Sequence, residues 1–211
     1  GTAGGVVSDL TINTTGAVAV DEAVGTDIGT VTITESGGTT FANTVDAATV
    51  TLTGTTGTVQ FDGNLTVGTG MSAASNGMNI SLLGASNSIA GTTTLANTGT
   101  LTLGDANTDS TTFVGGVTAT AQSSVSAQGT VAATTGASTI TLGDAGTGLT
   151  VADNLLVGGA ATGTIDLGDA VLADGVTLTV GTGIGNAINL DSVSGTAGGV
   201  VSDLTINTTG A

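Results

Sequence analysis

Short segments in which polar and apolar residues alternate run through the whole chain, and Gly, Asn, Asp or Ser interrupts them every few residues. Alternation with a period of two places one side of a β-strand inward and the other in water. Helical periodicity is weak throughout, and the abundant Thr and Val residues favour strands. The pattern therefore predicts an all-β chain of short strands and turns. The clearest strands are predicted at residues 9–13, 30–34, 49–53, 64–67, 79–83, 100–103, 139–142, 164–167, 176–180 and 187–190.

The spacing between strand centres indicates how the strands are arranged. Comparable apolar centres lie at Leu10, Val31 and Val50, and later at Leu101, Ile140, Ile165 and Ile188. The longer gap between Leu101 and Ile140 leaves room for one more strand near residues 117–121. Recurrence at about 20–25 residues is typical of a solenoid with loops of variable length. We therefore predict a β-solenoid, or β-helix, of about nine or ten rungs.

The segment GTAGGVVSDLTINTTGA occurs twice, with 17 identical residues at positions 1–17 and 195–211. The period between the two copies is 194 residues. We interpret residues 1–194 as one full tandem repeat of a continuous β-solenoid, and residues 195–211 as the start of the next identical repeat. This predicts that the chain is part of a longer protein. At ~4.8 Å per rung, one repeat would advance the solenoid by roughly 45 Å.

Composition excludes several classes of function. The chain has 16 Asp and Glu residues and no Lys, Arg or His, which gives a net charge of −16. Nucleic-acid binding is not expected, because no basic residue is present to neutralise phosphates. No stretch approaches 18 consecutive apolar residues, so the sequence predicts no membrane span. The chain is nevertheless 39% hydrophobic, with only three Phe residues, so a thin core of small aliphatic side chains is expected.

Three related phrases mark predicted corners: LTLGDA at residues 101–106, ITLGDA at 140–145 and IDLGDA at 165–170. In each, a strand runs into a Gly-Asp pair, which favours a turn. With NTGTLTL at 97–103 and LTVADNLLVGG at 149–159, these phrases resemble the β-strand repeats of filamentous-haemagglutinin-like and autotransporter-passenger surface proteins of bacteria. The resemblance implies a secreted right-handed β-helix used for adhesion or as a surface fibre. The chain departs from those families in lacking Lys and Arg, which favours a bulk scaffold over a receptor-binding role.

The acidic loops are the candidate metal sites. Carboxylate-rich loops suit Ca²⁺, which takes six to eight oxygen ligands. The best candidate ligands are Asp105 and Asp109, followed by Asp166, Asp169 and Asp174. No twelve-residue Ca²⁺ loop and no Ca²⁺-binding nonapeptide is present, so the alternative is that these residues are solvated turn carboxylates whose charge keeps fibres apart. No cofactor is expected to be required, although Ca²⁺ stays a candidate.

Catalysis is not predicted. Paired carboxylates suit glycoside hydrolysis, but no Lys or Arg is present to hold an acidic polysaccharide, and no His or Lys is present to activate a Ser or Thr. Triplets of Thr, an apolar residue and Thr occur at residues 30–32, 49–51, 51–53, 118–120, 139–141 and 177–179. They resemble the hydroxyl rows of ice-binding β-solenoids, but their uneven spacing argues against one flat array.

The sequence thus predicts a structural protein that forms a long, secreted, acidic β-solenoid filament, sheath or surface fibre. The expected location is extracellular or on the cell surface. The expected partner is the protein itself, through neighbouring repeats, bundling of fibres or self-assembly. Two alternatives stay open. One is a Ca²⁺-dependent adhesin built from tandem β-sandwich modules, and the other is an ice- or sugar-binding β-solenoid.

Overall fold

Every regular element in the computed structural model, which describes residues 6–25 and 27–209, is a β-strand. These residues form 22 strands in one sheet, and all the strand ladders are parallel. The described part of the chain has no helix of the length and hydrophobicity needed to cross a membrane. The prediction of an all-β solenoid with strands stacked along one axis is confirmed.

The strands line up in three columns, which we call faces A, B and C, and the chain visits them in this order in every turn. Face A contains β1 (Ser8–Asn13), β3 (Ile28–Glu35), the second parts of β5 (Val45–Leu52) and β7 (Leu65–Ala73), β10 (Thr93–Leu95), β13 (Val117–Ala119), β15 (Ile140–Leu142), β17 (Ile165–Asp166) and β20 (Ile188–Asn189). Face B contains β2 (Val18–Val20), β4 (Thr39–Phe41), β6 (Thr58–Phe61), β8 (Asn79–Leu82), β11 (Thr100–Leu103), the first parts of β14 (Ser124–Ala133) and β16 (Leu149–Gly159), β18 (Asp169–Leu172) and β21 (Ser192–Gly195). Face C contains Val24, the first parts of β5 and β7, β9 (Ser86–Ile89), β12 (Ser110–Phe113), the second parts of β14 and β16, β19 (Thr177–Val180) and β22 (Asp203–Ile206).

The described residues make nine turns, in agreement with the predicted nine or ten rungs. The shortest return to the same face runs from Val31 to Val50, and one of the longest runs from Leu178 to Leu204. The predicted spacings on face A are confirmed, since Val31 pairs with both Leu10 and Val50. The strand expected near residues 117–121 is β13.

The placement of Leu101 in the same column is wrong. Leu101 lies in β11 on face B, and β10 occupies face A in that turn. The physical reason is that each turn carries three strand-like segments. Spacing alone therefore does not distinguish a strand on face A from one on the neighbouring face.

Alternate residues of each strand point inward and stack in apolar columns along the axis. The core is built mainly of Val, Ile, Leu and Ala, as the composition predicts. All three Phe residues are fully buried, and the rings of Phe41 and Phe61 stack with centroids 4.9 Å apart. The core is therefore continuous from turn to turn, and every inner turn is covered on both sides.

Side-chain amides tie neighbouring turns together at the corners. Asn64, Asn79 and Asn154 each accept a backbone N–H bond from the following turn, at 2.8 to 2.9 Å. These bonds span 21 to 23 residues, which is one turn of the solenoid. They satisfy corner amides that the strand ladders do not reach.

Asn87 makes several contacts of this kind from inside the core, where its side chain is fully buried. Its Oδ1 accepts the N–H of Leu65 at 2.9 Å, and its Nδ2 donates to the carbonyl of Gly84 at 3.0 Å and to Thr111 Oγ1 at 3.2 Å. Three consecutive turns therefore meet at this one side chain.

Replacing Asn87 with alanine is expected to lower the free energy of unfolding by about 2–4 kcal/mol, because it leaves buried polar groups without partners. Equilibrium denaturation in guanidinium chloride measures the effect. Asn107→Ala is the matched control, since Asn107 is exposed and bonds only Asp153 in this structure. The control is expected to stay within about 0.5 kcal/mol of wild type. Equal effects of the two substitutions would contradict a structural role for Asn87.

Candidate cation-binding edge and hydroxyl column

Acidic residues gather along one corner of the solenoid, where the chain passes from face B to face C. We call this corner the acidic edge. Seven of the 16 acidic residues lie on it: Asp21, Glu22, Asp62, Asp105, Asp109, Asp153 and Asp174. With no Lys, Arg or His anywhere in the chain, the edge has no positive side chain to balance it. Mobile counter-cations must therefore neutralise it.

Asp105 and Asp109, the first predicted pair of calcium ligands, lie together on this edge. Asp109 is only 6% exposed, and its Oδ2 accepts the backbone N–H groups of Asp105 and Ala106, each at 2.9 Å. The Asp109 carboxylate therefore closes the loop before β12. Asp105 is exposed, yet some loss of solvation raises the pKa of its carboxyl, and a hydrogen bond with Asp109 and the negative charge of Asp109 raise it further. Two carboxylates held this close would share a cation or a proton more readily than a lone carboxylate.

The other three predicted ligands do not converge. Asp166 lies on face A, Asp169 begins β18 on face B, and Asp174 lies on the acidic edge. Each accepts a bond from a residue one turn further along: Asn189 to Asp166, Ser192 to Asp169 and Thr196 to Asp174. Across residues 6–25 and 27–209, no three acidic side chains are grouped so that they could hold one metal ion.

The three predicted Gly-Asp corners do form turns. Gly104, Gly143 and Gly168 have φ angles of 76°, 106° and 57°. Asp144 Oδ1 accepts the N–H of Gly146, two residues on, at 2.7 Å. This contact gives Asp144 a local structural role in its turn.

The raised pKa of Asp105 leads to a pH-dependent prediction. The folded state holds this proton more tightly than the unfolded state, so the contribution of Asp105 to stability is complete below the ordinary value of 3.8 and is lost as the pH rises through the raised folded value. Asp105→Asn is therefore expected to be more stable than wild type at neutral pH, and the difference should disappear in acid. Denaturation midpoints measured across this pH range test it.

Glu22→Gln provides the control for that experiment, because it removes one negative charge from the same edge. The gain in stability at neutral pH is expected to be larger for Asp105→Asn, since only Asp105 faces Asp109. An identical pH profile for the two variants would show that general charge repulsion, and not the Asp109 contact, sets the dependence.

A second surface feature lies on face A, where outward hydroxyl side chains stack in register over seven consecutive turns. This hydroxyl column consists of Thr11, Thr32, Thr51, Ser72, Thr94, Thr118 and Thr141. Every member is exposed or half-buried. Parallel pairing sets successive hydroxyls ~4.8 Å apart along the axis. Asp166 and Asn189 continue the column in the last two turns.

The uneven spacing of the triplets, which argues against one flat array, does not prevent outward hydroxyl residues on face A from lying in register in one column. The loops at the corners differ in length, and they absorb the variation before the chain returns to face A. Thr32 and Thr51 are closer together in the chain than Thr94 and Thr118, yet each pair is in direct register. Four of the seven column residues belong to the triplets, namely Thr32, Thr51, Thr118 and Thr141. The triplet at residues 177–179 lies in β19 on face C, so spacing along the chain did not reveal the alignment.

A shallow groove of about 540 Å³ follows the corner between faces A and B in the second to fourth turns. Thr34, Glu35, Thr55 and Asn76 are among its lining residues. Glu35 is the one acidic residue in the groove lining, so the groove does not supply the two carboxyl groups that glycoside hydrolysis requires.

No protein-family model matches the chain, and no curated protein or solved structure is significantly similar to it.

Proposed function

We propose that this chain is a structural segment of a long, acidic filament, sheath or surface fibre outside the cell. The observation that supports the proposal is the unbroken parallel ladder through nine turns. Its hydrogen bonds run along the axis, so a load applied along the filament is borne by many backbone bonds together. A core that continues through all the turns suits a stiff rod.

The charge of the chain supports the same role. A net charge of −16 on a surface without basic side chains makes neighbouring filaments repel one another at low salt. The filaments then stay separate and soluble until cations screen them. Assembly with further copies of the same protein, along the axis or by bundling, is the partner relationship that we propose.

Chains of increasing length test the filament. Residues 1–211 followed by one or two further copies of residues 18–211 would carry two or three of the proposed repeats. Electron cryomicroscopy is expected to show straight rods that lengthen by ~40–45 Å per added copy, with a strong reflection near ~4.8 Å along the axis. Compact beads on flexible linkers would overturn the proposal. Immunogold labelling of intact cells tests the location outside the cell.

The described residues form a solenoid, whereas the adhesin alternative requires β-sandwich modules. Calcium binding stays a prediction for Asp105, Asp109, Asp166, Asp169 and Asp174. We propose that divalent cations gather along the acidic edge as counter-ions. Calorimetric titration with CaCl₂, against NaCl at equal ionic strength, distinguishes the cases. Saturable binding that Asp105→Asn weakens, and Glu22→Gln does not, would favour a defined site.

The hydroxyl column favours a second candidate, a solenoid that binds ice or a sugar surface. A row of hydroxyls at a fixed spacing of ~4.8 Å can match a regularly spaced ligand. Thr94→Lys in the middle of the column is the test, and Thr102→Lys on face B is its control. Loss of ice-recrystallisation inhibition or of polysaccharide binding in the first variant alone would support this candidate. Absence of both activities in the wild-type protein would exclude it.

A further inference from the structure

The two identical 17-residue segments do not occupy equivalent places in the solenoid. Residues 8–13 of the first copy form β1 on face A, where Leu10 pairs with Val31. In the second copy, residues 203–206 form β22 on face C, where Leu204 pairs with Leu178. The same sequence therefore serves as a strand on two different faces.

Both copies nevertheless point the same side chains inward. Ile12 of the first copy is 7% exposed and pairs with the fully buried Ile33. Ile206 of the second copy pairs with the fully buried Val180. The sequence thus determines which side of the strand meets the core, and it leaves the choice of face to the length of chain that precedes it.

The lengths of the turns explain why the second copy lies on face C. Ile188 is the inward residue of the last strand on face A, and Leu204 is an inward residue of the last strand on face C. Fewer residues separate Ile188 from Leu204 than separate Val31 from Val50, which is the shortest complete turn in the structure. The chain between Ile188 and Leu204 is therefore too short to complete a turn and bring Leu204 back to face A. From Leu10 to Leu204 the chain makes eight full turns and two further faces.

We propose that the 194-residue unit makes eight and two-thirds turns, and that the open edge of its last turn is covered by a further copy of the unit displaced by one face. The proposal rests on the filament proposed above and specifies how consecutive units meet. Because β22 repeats the sequence of β1, a strand with the sequence of β3 can pair with β22 in the next unit as β3 pairs with β1. Leu204, Thr205 and Ile206 would pair with Val31, Thr32 and Ile33 of the next unit.

All three faces can continue in this phase. Ile188 on face A would meet Val18 of the next unit, Val193 on face B would meet its Val24, and Leu204 on face C would meet its Val31. Each of these three pairings would close a turn of the solenoid. The number of residues in each such turn is larger than between Val31 and Val50 and smaller than between Leu178 and Leu204, so all three lie within the observed range of turn lengths.

The inward side of each strand also agrees in the displaced phase. Val24 and Val31 are buried residues, and Val18 packs against the core in the first turns. Val24 would continue the apolar column that ends at Val193 in the preceding unit. Val31 would continue the column that ends at Leu204, and Val18 the column that ends at Ile188. In the displaced phase, these three inward pairs at the junction are therefore apolar on both sides.

The last turn carries apolar side chains that such a neighbour would cover. Val193, Leu204 and Ile206 are paired with buried residues of the turn beneath, yet they are 36%, 43% and 46% exposed. The corresponding Ile12 in the first copy is 7% exposed, because β3 covers it. A strand with the sequence of β3 is therefore the occupant that fits this edge.

The phase determines the symmetry of the filament. Equivalent residues in successive units are displaced by one face and by ~42 Å along the axis, and the same face returns after three units, 26 turns or ~125 Å. A feature confined to one face of a unit, such as the hydroxyl column, would then be presented on all three sides of the filament.

Cysteine pairs in a two-unit chain test the phase, since the natural sequence has no Cys. The chain is residues 1–211 followed by residues 18–211. Paired outward residues on adjacent parallel strands lie within the Cα separation that a disulfide needs. Asn189→Cys in the first unit with Ala19→Cys in the second reports the displaced phase. A disulfide between Thr205→Cys and Thr32→Cys of the second unit would form whenever the second unit stacks on the first, whichever face it starts on. A disulfide between Asn189→Cys and Thr205→Cys would form only if β22 lay on face A, that is, if the unit made a whole number of turns.

The first two pairs are expected to cross-link at least about tenfold more than the third pair. Cross-linking of the second and third pairs without the first would overturn the displaced phase and leave the filament standing. Failure of both the first and second pairs would overturn the continuous filament as well. Thr179→Cys with Thr205→Cys, which are paired within the 211-residue chain, is the positive control.

Discussion

Replacing Phe61 with alanine is expected to lower the free energy of unfolding by about 3–5 kcal/mol. Phe61 is fully buried, and its ring stacks on that of Phe41 with 7° between the planes. In the register of face B it lies between Phe41 and Leu82. The backbone around it is held by ladder bonds to the turns on both sides, so the cavity left by the ring cannot close easily. Equilibrium unfolding in guanidinium chloride measures the loss.

Two further variants separate the cavity from other effects of the substitution. Phe61→Leu keeps most of the buried volume and is expected to cost less than about 1.5 kcal/mol. Val171→Ala removes an apolar side chain that points outward on the same face and is 42% exposed, so it should change stability by about 0.5 kcal/mol or less. A cost for Phe61→Ala as small as that for Val171→Ala would mean that the stacked core does not hold the first turns together.

Much of face A was predictable from sequence because its inward residues are mostly β-branched and recur once in each turn. Val31, Val50 and Ile140 are examples, and all are fully buried. Alternation alone revealed the inward side of these strands. The prediction of about nine or ten rungs depended mainly on the spacing of these residues, and the structure has nine turns.

Other parts of the fold carry no comparable signal. Met71 continues face A inside a strand interrupted by Gly68 and Gly70, so that segment does not show a regular apolar spacing. β14 and β16 each pass from face B to face C without leaving the extended conformation, and the change of face is invisible in their alternation. The division of each turn into three faces therefore needed the pairing of strands, which depends on contacts between residues a whole turn apart in the chain.

The candidate metal ligands also show that closeness in sequence does not always predict closeness in the fold. Asp105 and Asp109 were predicted together, and the structure places them together, because one short loop holds both. Asp166, Asp169 and Asp174 are also near one another in sequence, but Asp166 ends β17, Asp169 begins β18 and Asp174 follows β18, so they lie in different parts of a turn. Proximity in sequence indicates proximity in space only where no strand crosses to another face.

The hydroxyl column and the phase of the repeat bear on the two candidate functions together. A binding surface for an extended ligand benefits from one continuous plane. In the displaced phase, the column runs for seven turns on one face and then moves to the next face in the following unit. A long flat array cannot form in such a filament. This favours the structural role, with hydroxyl groups presented on every side of the fibre.

Replacing Gly91 with alanine is expected to cost about 2–5 kcal/mol, which combines the strain of a positive φ with a backbone clash. Gly91 lies at the corner between faces C and A with a φ of 67°, and an added Cβ would overlap the carbonyl oxygen of Thr69 in the turn beneath. The clash is with a backbone atom of β7, so no side-chain rotation can relieve it.

Gly136→Ala isolates the contribution of turn stacking. Gly136 lies at the same corner in a later turn with a φ of 53°, but an added Cβ there meets nothing within 4 Å. It should therefore cost only the strain of about 1–2 kcal/mol. The difference between the two variants, measured by equilibrium denaturation, reports how closely the corners of successive turns are packed. Equal costs would show that the corners can move apart freely, and the stiffness proposed for the filament would then have to come from the strands alone.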